Sequence, residues 1–239
     1  MIIIPARIES SRFPRKVLTD IKDIPMVIRT AKVALNIDSV LIATDSKEVI
    51  DIADSYNIDA ILTSKEHKSG TDRVYEAVTK LDLREGEPII NLQADEPFIE
   101  EEVIESIFKL TEQNANRKDI LINSCYKEID RREAKDPNIV KVVTDKNGIA
   151  LYFSRAEIPF LRDIDRDIKY KAHIGIYGFT KESLKTFCSL PHAPIEEIEK
   201  LEQLRALHFG YNIAMVEVKT DSFGIDTEED LNRALSLFI

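Results

Sequence analysis

Short apolar runs alternate with segments of helical periodicity from Ile2 to Leu92, and this rhythm constrains the fold more than any other feature of the chain. Residues 2–4 read as a strand, 26–35 as a helix, 40–43 as a strand ending at Thr44-Asp45, 47–56 as a helix and 60–62 as a short strand. A helix over 71–81 and a strand over 88–92 continue the series. Strands joined through helices build a mainly parallel sheet with helices on its faces. Open sheets of this kind bind ligands beyond the carboxyl ends of their strands. The places to look are therefore 5–16, Thr44-Asp45 and 93–97.

The second half has a different pattern. Residues 120–129, 139–144 and 149–153 read as strands, with a turn at 145–148 that makes the last two an antiparallel pair. Charged 162–171 reads as an exposed loop, and 173–179 as a strand. Ile198, Leu201, Leu204 and Leu207 recur at helical spacing and predict one helix over 196–209. A strand over 212–218 follows, and Thr227 with Asp230 has the spacing of a capping box opening a last helix. With no repeats and no Gly/Ser linker, the expectation is one α/β domain over 1–239, with an antiparallel extension within 120–185.

Charge narrows the function. The 239 residues carry a net −10, which excludes the broad basic face of a general nucleic-acid binder. Yet Arg7, Arg12, Arg15 and Lys16 stand against the single anion Glu9 directly behind the first strand, so an acidic chain gathers cations where a small polyanion would sit. Residues 4–16 contain no glycine, which rules out both the dinucleotide-binding and Walker loops. A phosphate grip there must come from side chains, arginine as a planar fork and lysine as a mobile point charge. Cys125 and Cys188 lack metal-site or redox spacing and read as two reduced thiols. No apolar stretch approaches the ~20 residues that span a bilayer. Met1 leads straight into the apolar run without a charged leader, so a strand, rather than a signal peptide, and a cytoplasmic location are expected.

Four further segments have the residue types of a site. Strand 88–92 delivers Asp95 and Glu96 at its tip, where a carboxylate suits Mg²⁺ bound to substrate phosphates; the alternative is that Asp95 caps the helix after Pro97. Asp226 lies just before the Thr227 cap, a position where carboxylates are also common for structural reasons. Ser69-Gly-Thr-Asp-Arg73 opens a helix, either presenting Gly70 and backbone amides to a ligand or simply using Thr71 as a cap with Arg73 on the surface. His173 and Tyr177, four apart on a strand, share one face and could read sugar hydroxyls. On the helix expected over 196–209, Glu199, Glu202, Gln203 and Arg205 lie off the apolar stripe.

Taken in order, these pieces resemble the 3-deoxy-manno-octulosonate cytidylyltransferases, the CMP-Kdo synthetases, almost end to end. The resemblance rests on Ile-Pro-Ala-Arg at 4–7, Ser11-Arg12, Pro14 with Lys16, Ala43-Thr-Asp45, His67, Ser69-Gly-Thr-Asp-Arg73, and Gln93 with Asp95-Glu-Pro97. It continues through Asn138, Val140-Lys-Val-Val143, Leu151-Tyr-Phe-Ser-Arg155, His173, Gly175-Ile-Tyr-Gly178, Leu201-Glu-Gln-Leu-Arg205, and Gly224 with Asp226-Thr227. It implies a Rossmann-like, nucleotide-diphospho-sugar transferase-like fold with a dimerisation extension and a homodimer. The implied reaction is transfer of CMP from CTP to the sugar acid Kdo with Mg²⁺, in lipopolysaccharide biosynthesis. Arg7 and Lys16 would hold the triphosphate, with Arg12 and the backbone of Ala6 assisting. Ser69, Gly70, Arg73 and Gln93 would place the nucleotide, and Asp95 and Asp226 would bind metal. Gln93, Arg155, His173, Tyr177, Glu202 and Gln203 would form the sugar-acid pocket.

The sequence departs from that pattern at three places: Arg15 and Ala94 stand where the family usually has glycine, and Val17 where it has proline. Arg15 is expected either to add a phosphate contact or to point outward, and Ala94 to sit in a turn that tolerates a Cβ. Two other functions fit the same residues: a cytidylyltransferase for another sugar acid, such as sialic acid or 8-amino-Kdo, and a nucleotide-binding regulator without catalysis.

Overall fold

In a computed structural model that describes residues 1–9, 13–84, 86–163 and 168–239, the first half of the chain is wound around strand β1, Ile2–Ala6. It is followed by α1 (Met26–Ala34), β2 (Val40–Thr44), α2 (Lys47–Ser55), β3 (Asp59–Leu62), α3 (Gly70–Thr79), β4 (Ile89–Asn91) and α4 (Glu101–Asn114). Next come β5 (Ile120–Ile129), α5 (Arg131–Ala134), β6 (Lys141–Thr144), β7 (Ala150–Ser154) and β8 (Tyr170–Phe179). The chain ends with α6 (Lys181–Ser189), α7 (Pro194–Glu199), α8 (Leu204–His208), β9 (Asn212–Glu217) and α9 (Glu228–Phe238).

Sheet order is β3-β2-β1-β4-β8-β5-β9. The first four strands are parallel, whereas β8 runs antiparallel to both β4 and β5. Strand order reverses at β1: β2 and β3 are added on one side and β4 on the other. A crevice opens at such a reversal, beyond the carboxyl ends of the two central strands. The segments leaving β1 and β4, which carry Arg7 and Gln93–Asp95, therefore meet there.

Strand alternation divides the core into two layers. Ile2, Ile4, Ile42 and Ile90 pack against Val27, Ile28 and Ala31 of α1, Val49 and Ala53 of α2, and Val103, Ile104 and Ile107 of α4. Their neighbours Ile3, Leu41, Ala43 and Ile89 face the other way, toward Val74, Ala77 and Val78 of α3, Leu184 and Phe187 of α6, and Leu204 of α8. At Gly178 the approach of α4 leaves no room for a side chain, since a Cβ would lie 1.9 Å from Thr111 Oγ1.

The second half locates the antiparallel hairpin and corrects one expectation. β5 and β8 are strands of the main sheet, so within 120–185 the part off its central path is the β6–β7 hairpin, which joins β8 at Lys141–Ala172. Asp145 Oδ1 fixes its turn by accepting from the amides of Asn147 and Ile149. The single helix expected over 196–209 is two, α7 and α8, separated at Lys200, whose φ of 55° lies in the left-handed region. The apolar spacing continues across the break only in part: Leu201 and Leu204 are buried, but Ile198 is exposed. The break turns residues 201–203 toward the interior.

A smaller apolar cluster ties the chain's ends together. Phe13, Ile21 and Met26 pack with Ile225 and Ala234, backed by Phe98, Leu231 and Phe238. The capping box of Thr227 and Asp230 starts α9 as expected. Both thiols are free, Cys125 buried and Cys188 half-buried, and burial pushes the Cys188 thiol up to about 12. No helix among the described residues is long and apolar enough to cross a membrane.

Candidate active site

A cleft of about 290 Å³ lies at the strand-order reversal and is lined by Pro5, Arg7, Lys16, Val17, His67, Lys68, Ser69, Gly70, Arg73, Gln93, Ala94, Asp95 and Asp226. Its electrostatic centre is Lys16. The ammonium donates to Asp95 Oδ2 at 2.6 Å and to Asp226 Oδ1 at 2.8 Å. Burial acts against its charge, but Asp95 and Asp226 outweigh burial and raise its pKa. Residues 79 and 210 positions apart from Lys16 are thus brought to one nitrogen. The apolar cluster of Phe13, Met26 and Ile225 accounts for part of this, and the amide of Ile225 bonding to the carbonyl of Asp95 at 2.9 Å accounts for the rest.

Asp95 does not cap a helix. α4 starts six residues later with Glu100 at its N-cap, which leaves the Asp95 carboxylate in the cleft. Its neighbour Glu96 has the opposite environment: burial, then the charge of Asp95, pushes its carboxyl up to about 8, and it accepts from Ser222 at 3.1 Å. Two carboxylates converging on one cation, with open space beside them, suit a hard divalent ion that takes one or two protein carboxylates. Among the described residues no group of three or more acidic, His or Cys ligands comes together, so such an ion would depend on substrate oxygens as well.

The opposite wall is the start of α3. Ser69, not Thr71, is its N-cap, accepting from the amide of Asp72 at 3.1 Å. A Cβ on Gly70 would come within 3.2 Å of Pro5 Cγ, so glycine lets the helix start close over β1 and leaves its backbone bare to the cleft. Arg73 is buried rather than on the surface. It donates to Thr63 Oγ1 at 2.5 Å, Ser64 O at 3.2 Å and Asp45 Oδ2 at 3.0 Å. The other Asp45 oxygen accepts from the amide of Ile8 at 3.2 Å, so Asp45 ties the loop after β1 to α3.

Arg7 is exposed on the cleft lining. Ala6 ends β1 with its side chain fully buried, so only its backbone could reach a ligand. Arg12 lies outside the described residues. Arg15 points away from the cleft and pairs with Glu48 at 2.5 Å, and its φ of 56° occupies the left-handed region, where glycine is at ease. Ala94 is not among the positive-φ residues, as its Cβ requires.

Behind the cleft lies a second group of polar side chains. Tyr177 donates to Gln203 Oε1 at 3.3 Å, its ring lies 5.5 Å from that of His173, and His173 in turn meets Phe153 edge-on. His173 Nε2 is 2.9 Å from Ser124 Oγ, and burial pushes the imidazole down to about 3, so it is neutral. Burial also raises the pKa of Glu202, against the opposing pull of Thr71 and Arg205. Among the described residues, Glu202 Oε2 and Gln203 Nε2 are shielded from solvent without a hydrogen-bond partner. Buried polar atoms left unpaired are costly unless a ligand completes them. Arg155 stands apart: its Nε and Nη1 donate to the carbonyls of Glu199 and Pro137, and its amide to Glu199 Oε2.

His67, Lys68 and Asp45 were not among the expected site residues. Burial opposes the charge of Glu76, yet bonds from Lys80, Ser64 and His67 bring its carboxyl down to about 2 and hold His67 at 2.5 Å beside the cleft. The available signal was position: Asp45 ends a strand, and His67 and Lys68 directly precede the Ser69 cap.

Comparison with known proteins gives a consistent result. A family model described as cytidylyltransferase matches residues 1–214. The chain is 56% identical to the 3-deoxy-manno-octulosonate cytidylyltransferase of Nitratiruptor sp. and 53% identical to that of Wolinella succinogenes, in each case over 100% of this chain and 99% of the relative. A solved CMP:2-keto-3-deoxy-manno-octonic acid synthetase, complexed with CTP, superposes with a TM-score of 0.90 at 35% identity, covering 99% of this chain and 96% of that one. A putative glucose-1-phosphate thymidylyltransferase from Bacillus anthracis shares the fold alone, with a TM-score of 0.64 at 16% identity.

Proposed function

The chain belongs to the cytidylyltransferase family, and from that premise we propose that it transfers CMP from CTP to 3-deoxy-D-manno-octulosonate (Kdo), releasing pyrophosphate. The observation that carries the reading is the meeting of Lys16, Asp95 and Asp226 in a cleft at the reversal of strand order. CTP lies in this cleft, its nucleoside end toward Ser69, Gly70 and Arg73 and its phosphates toward Lys16 and Arg7. The anomeric hydroxyl of Kdo gives up its proton to water and attacks the α-phosphorus in line, the bond to the β-phosphate oxygen breaks, and pyrophosphate leaves. Such a transfer needs positioning and charge stabilisation more than covalent help.

Lys16 and Arg7 offset the repulsion between triphosphate and sugar acid and stabilise the departing pyrophosphate. Asp95 and Asp226 are the residues that would hold Mg²⁺, which when bound lowers the pKa of the attacking hydroxyl and shares the phosphate charge. Gln93, His173, Tyr177, Glu202 and Gln203 surround the sugar, with the unpaired Glu202 Oε2 and Gln203 Nε2 meeting its hydroxyls. Arg155 pairs with the sugar carboxylate through the end of its guanidinium left by the Glu199 and Pro137 carbonyls.

The product serves lipopolysaccharide biosynthesis, and the enzyme works in the cytoplasm as a homodimer. Leu151 and Tyr152 of β7, Phe160 just beyond it and Ile198 of α7 are exposed large apolar side chains. They lie on segments joined by the bond from Ser154 to Glu199, which favours this face for the second copy.

Pyrophosphate release with CTP, Mg²⁺ and a panel of sugar acids tests the reading. Kdo is expected to give the highest kcat/KM. A higher value for a sialic acid or 8-amino-Kdo would reassign the substrate, and no release with any of them would leave a binding protein without catalysis.

A further inference from the structure

The cleft and the polar pocket behind it are joined by an unbroken line of side-chain hydrogen bonds. Gln93 Nε2 donates to Asn91 Oδ1 at 3.1 Å, Asn91 Nδ2 donates to Thr71 Oγ1 at 3.1 Å, and Thr71 Oγ1 donates to Glu202 Oε1 at 2.5 Å. Asn91 and Thr71 are both fully buried, and neither lines the cleft. Asn91 ends β4, a strand whose other members are isoleucines, and Thr71 sits in the first turn of α3. Polar groups buried at such positions destabilise the fold unless bonded, and apolar residues would pack there at least as well. Their bonds to each other account for their stability but not for the direction in which the protons run.

That direction is set at one end. The Thr71 hydroxyl donates to Glu202 Oε1, so its single proton is spent there and the Thr71 oxygen is left to accept. Asn91 must then turn its NH₂ toward Thr71 and its carbonyl oxygen toward Gln93. Gln93 answers with its own NH₂, which leaves Oε1 pointing to the Gly70 side of the cleft, 3.5 Å from where a Cβ on Gly70 would be. At the far end Glu202 is held by Oε1, and Oε2 is buried and unpaired among the described residues.

We propose that Asn91 and Thr71 are positioning residues that fix the hydrogen-bond polarity of Gln93 and the orientation of Glu202, so that Gln93 Oε1 and Glu202 Oε2 are held toward hydroxyl groups of the bound sugar acid. This rests on the reading of the chain as a sugar-acid cytidylyltransferase. Losing the Thr71 hydroxyl frees the Asn91 amide, and with it that of Gln93, to rotate, and leaves Glu202 Oε1 without its donor. The ends then lose their preference for a hydroxyl donor without losing their side chains.

The test compares Thr71→Val, which keeps the branched shape and removes the hydroxyl, with Thr71→Ser, which keeps the hydroxyl. Steady-state kinetics with CTP, Kdo and Mg²⁺ are read for KM of each substrate and kcat. Thr71→Val is expected to raise KM for Kdo about tenfold, the worth of one buried hydrogen bond. KM for CTP should stay within about twofold of wild type, and Thr71→Ser should return the Kdo value to within about twofold as well. Asn91→Asp, which replaces the donor facing Thr71 with a second acceptor, should repeat the valine result and answers the question if the valine variant does not fold. Unchanged KM for Kdo in a folded variant, or equal losses for Kdo and CTP, overturns the line as a positioning device. An inactive wild type overturns the assigned function and the proposal with it, whereas an active wild type with indifferent variants overturns the proposal alone.

Discussion

The cleft around Lys16 and the pocket around Glu202 are both polar, but they handle burial in opposite ways. In the cleft the charged groups are half-exposed and satisfy one another, with one ammonium holding two carboxylates at 2.6 and 2.8 Å. In the pocket Tyr177 and Gln203 are buried, His173 is neutral, and among the described residues Glu202 Oε2 and Gln203 Nε2 are shielded from solvent without partners. The difference follows from what each must receive. A triphosphate arrives with its own charge and counter-ions, and mobile charges on the rim can rearrange around it. A sugar offers neutral hydroxyls, which are selected only by fixed donors and acceptors that water does not reach.

The sharpest way to break this contrast is Asp95→Asn. It removes one of the two charges facing Lys16 while the Asp226 pair remains. Turnover with Mg²⁺ is expected to fall at least about a hundredfold with little change in melting temperature. Near-normal turnover would mean that the two carboxylates serve only to hold Lys16. Next in size is Arg155→Ala, for which KM for Kdo should rise roughly tenfold to a hundredfold, the worth of a charged hydrogen bond, while CTP binding measured by calorimetry stays level. Equal losses would show that its bonds to the Glu199 and Pro137 carbonyls matter more than any substrate contact.

Acid separates the two regions further. The folded-state pKa of His173 is about 3, well below the ordinary imidazole value. Its contribution is therefore complete above pH ~6.5 and lost as pH falls toward its folded value, by about 1.4 kcal/mol per pH unit. The raised pKa of Lys16 has the opposite sign: that contribution is present below 10.5 and lost only as pH rises through the folded value. Denaturation curves between pH 7 and 4 should show a slope that shrinks in His173→Asn and persists in Lys16→Met. An unchanged slope in the histidine variant would contradict its enclosure. The smallest effect is expected for Arg15→Gly. Relief of the left-handed backbone is worth about 1 kcal/mol, and the lost surface pair with Glu48 costs between about 0 and 1 kcal/mol. Stability should therefore change by less than about 1 kcal/mol, with turnover unaltered. A clear loss of CTP affinity would place Arg15 in the phosphate site.

Periodicity was enough to read the parallel half, because its strands alternate between two apolar layers and its helices carry one apolar face each. It failed at 196–209, where the leucine spacing continues although the backbone turns at Lys200. Side-chain spacing reports which face is apolar, but a single left-handed residue leaves that spacing almost intact. That break brings Glu202 and Gln203 inward, so these two were placed in the pocket only through the resemblance to known enzymes, whereas His173 and Tyr177 were legible from strand spacing. The burial of Arg73 was likewise beyond local reading, since it depends on Asp45 and Thr63 lying where the fold puts them.

By itself the sequence determined the order of strands and helices in the parallel half, the cationic loop behind β1 and the carboxylates at two strand or helix ends, because these follow from local periodicity and residue type. The tertiary structure alone decided that Asp226 reaches Lys16, through the Phe13–Ile225 cluster and the bond from Ile225 to Asp95. It also decided that Glu202 is linked to Gln93. Contacts between residues far apart in the chain are set by the joint packing of both sheet faces, and local spacing does not encode them.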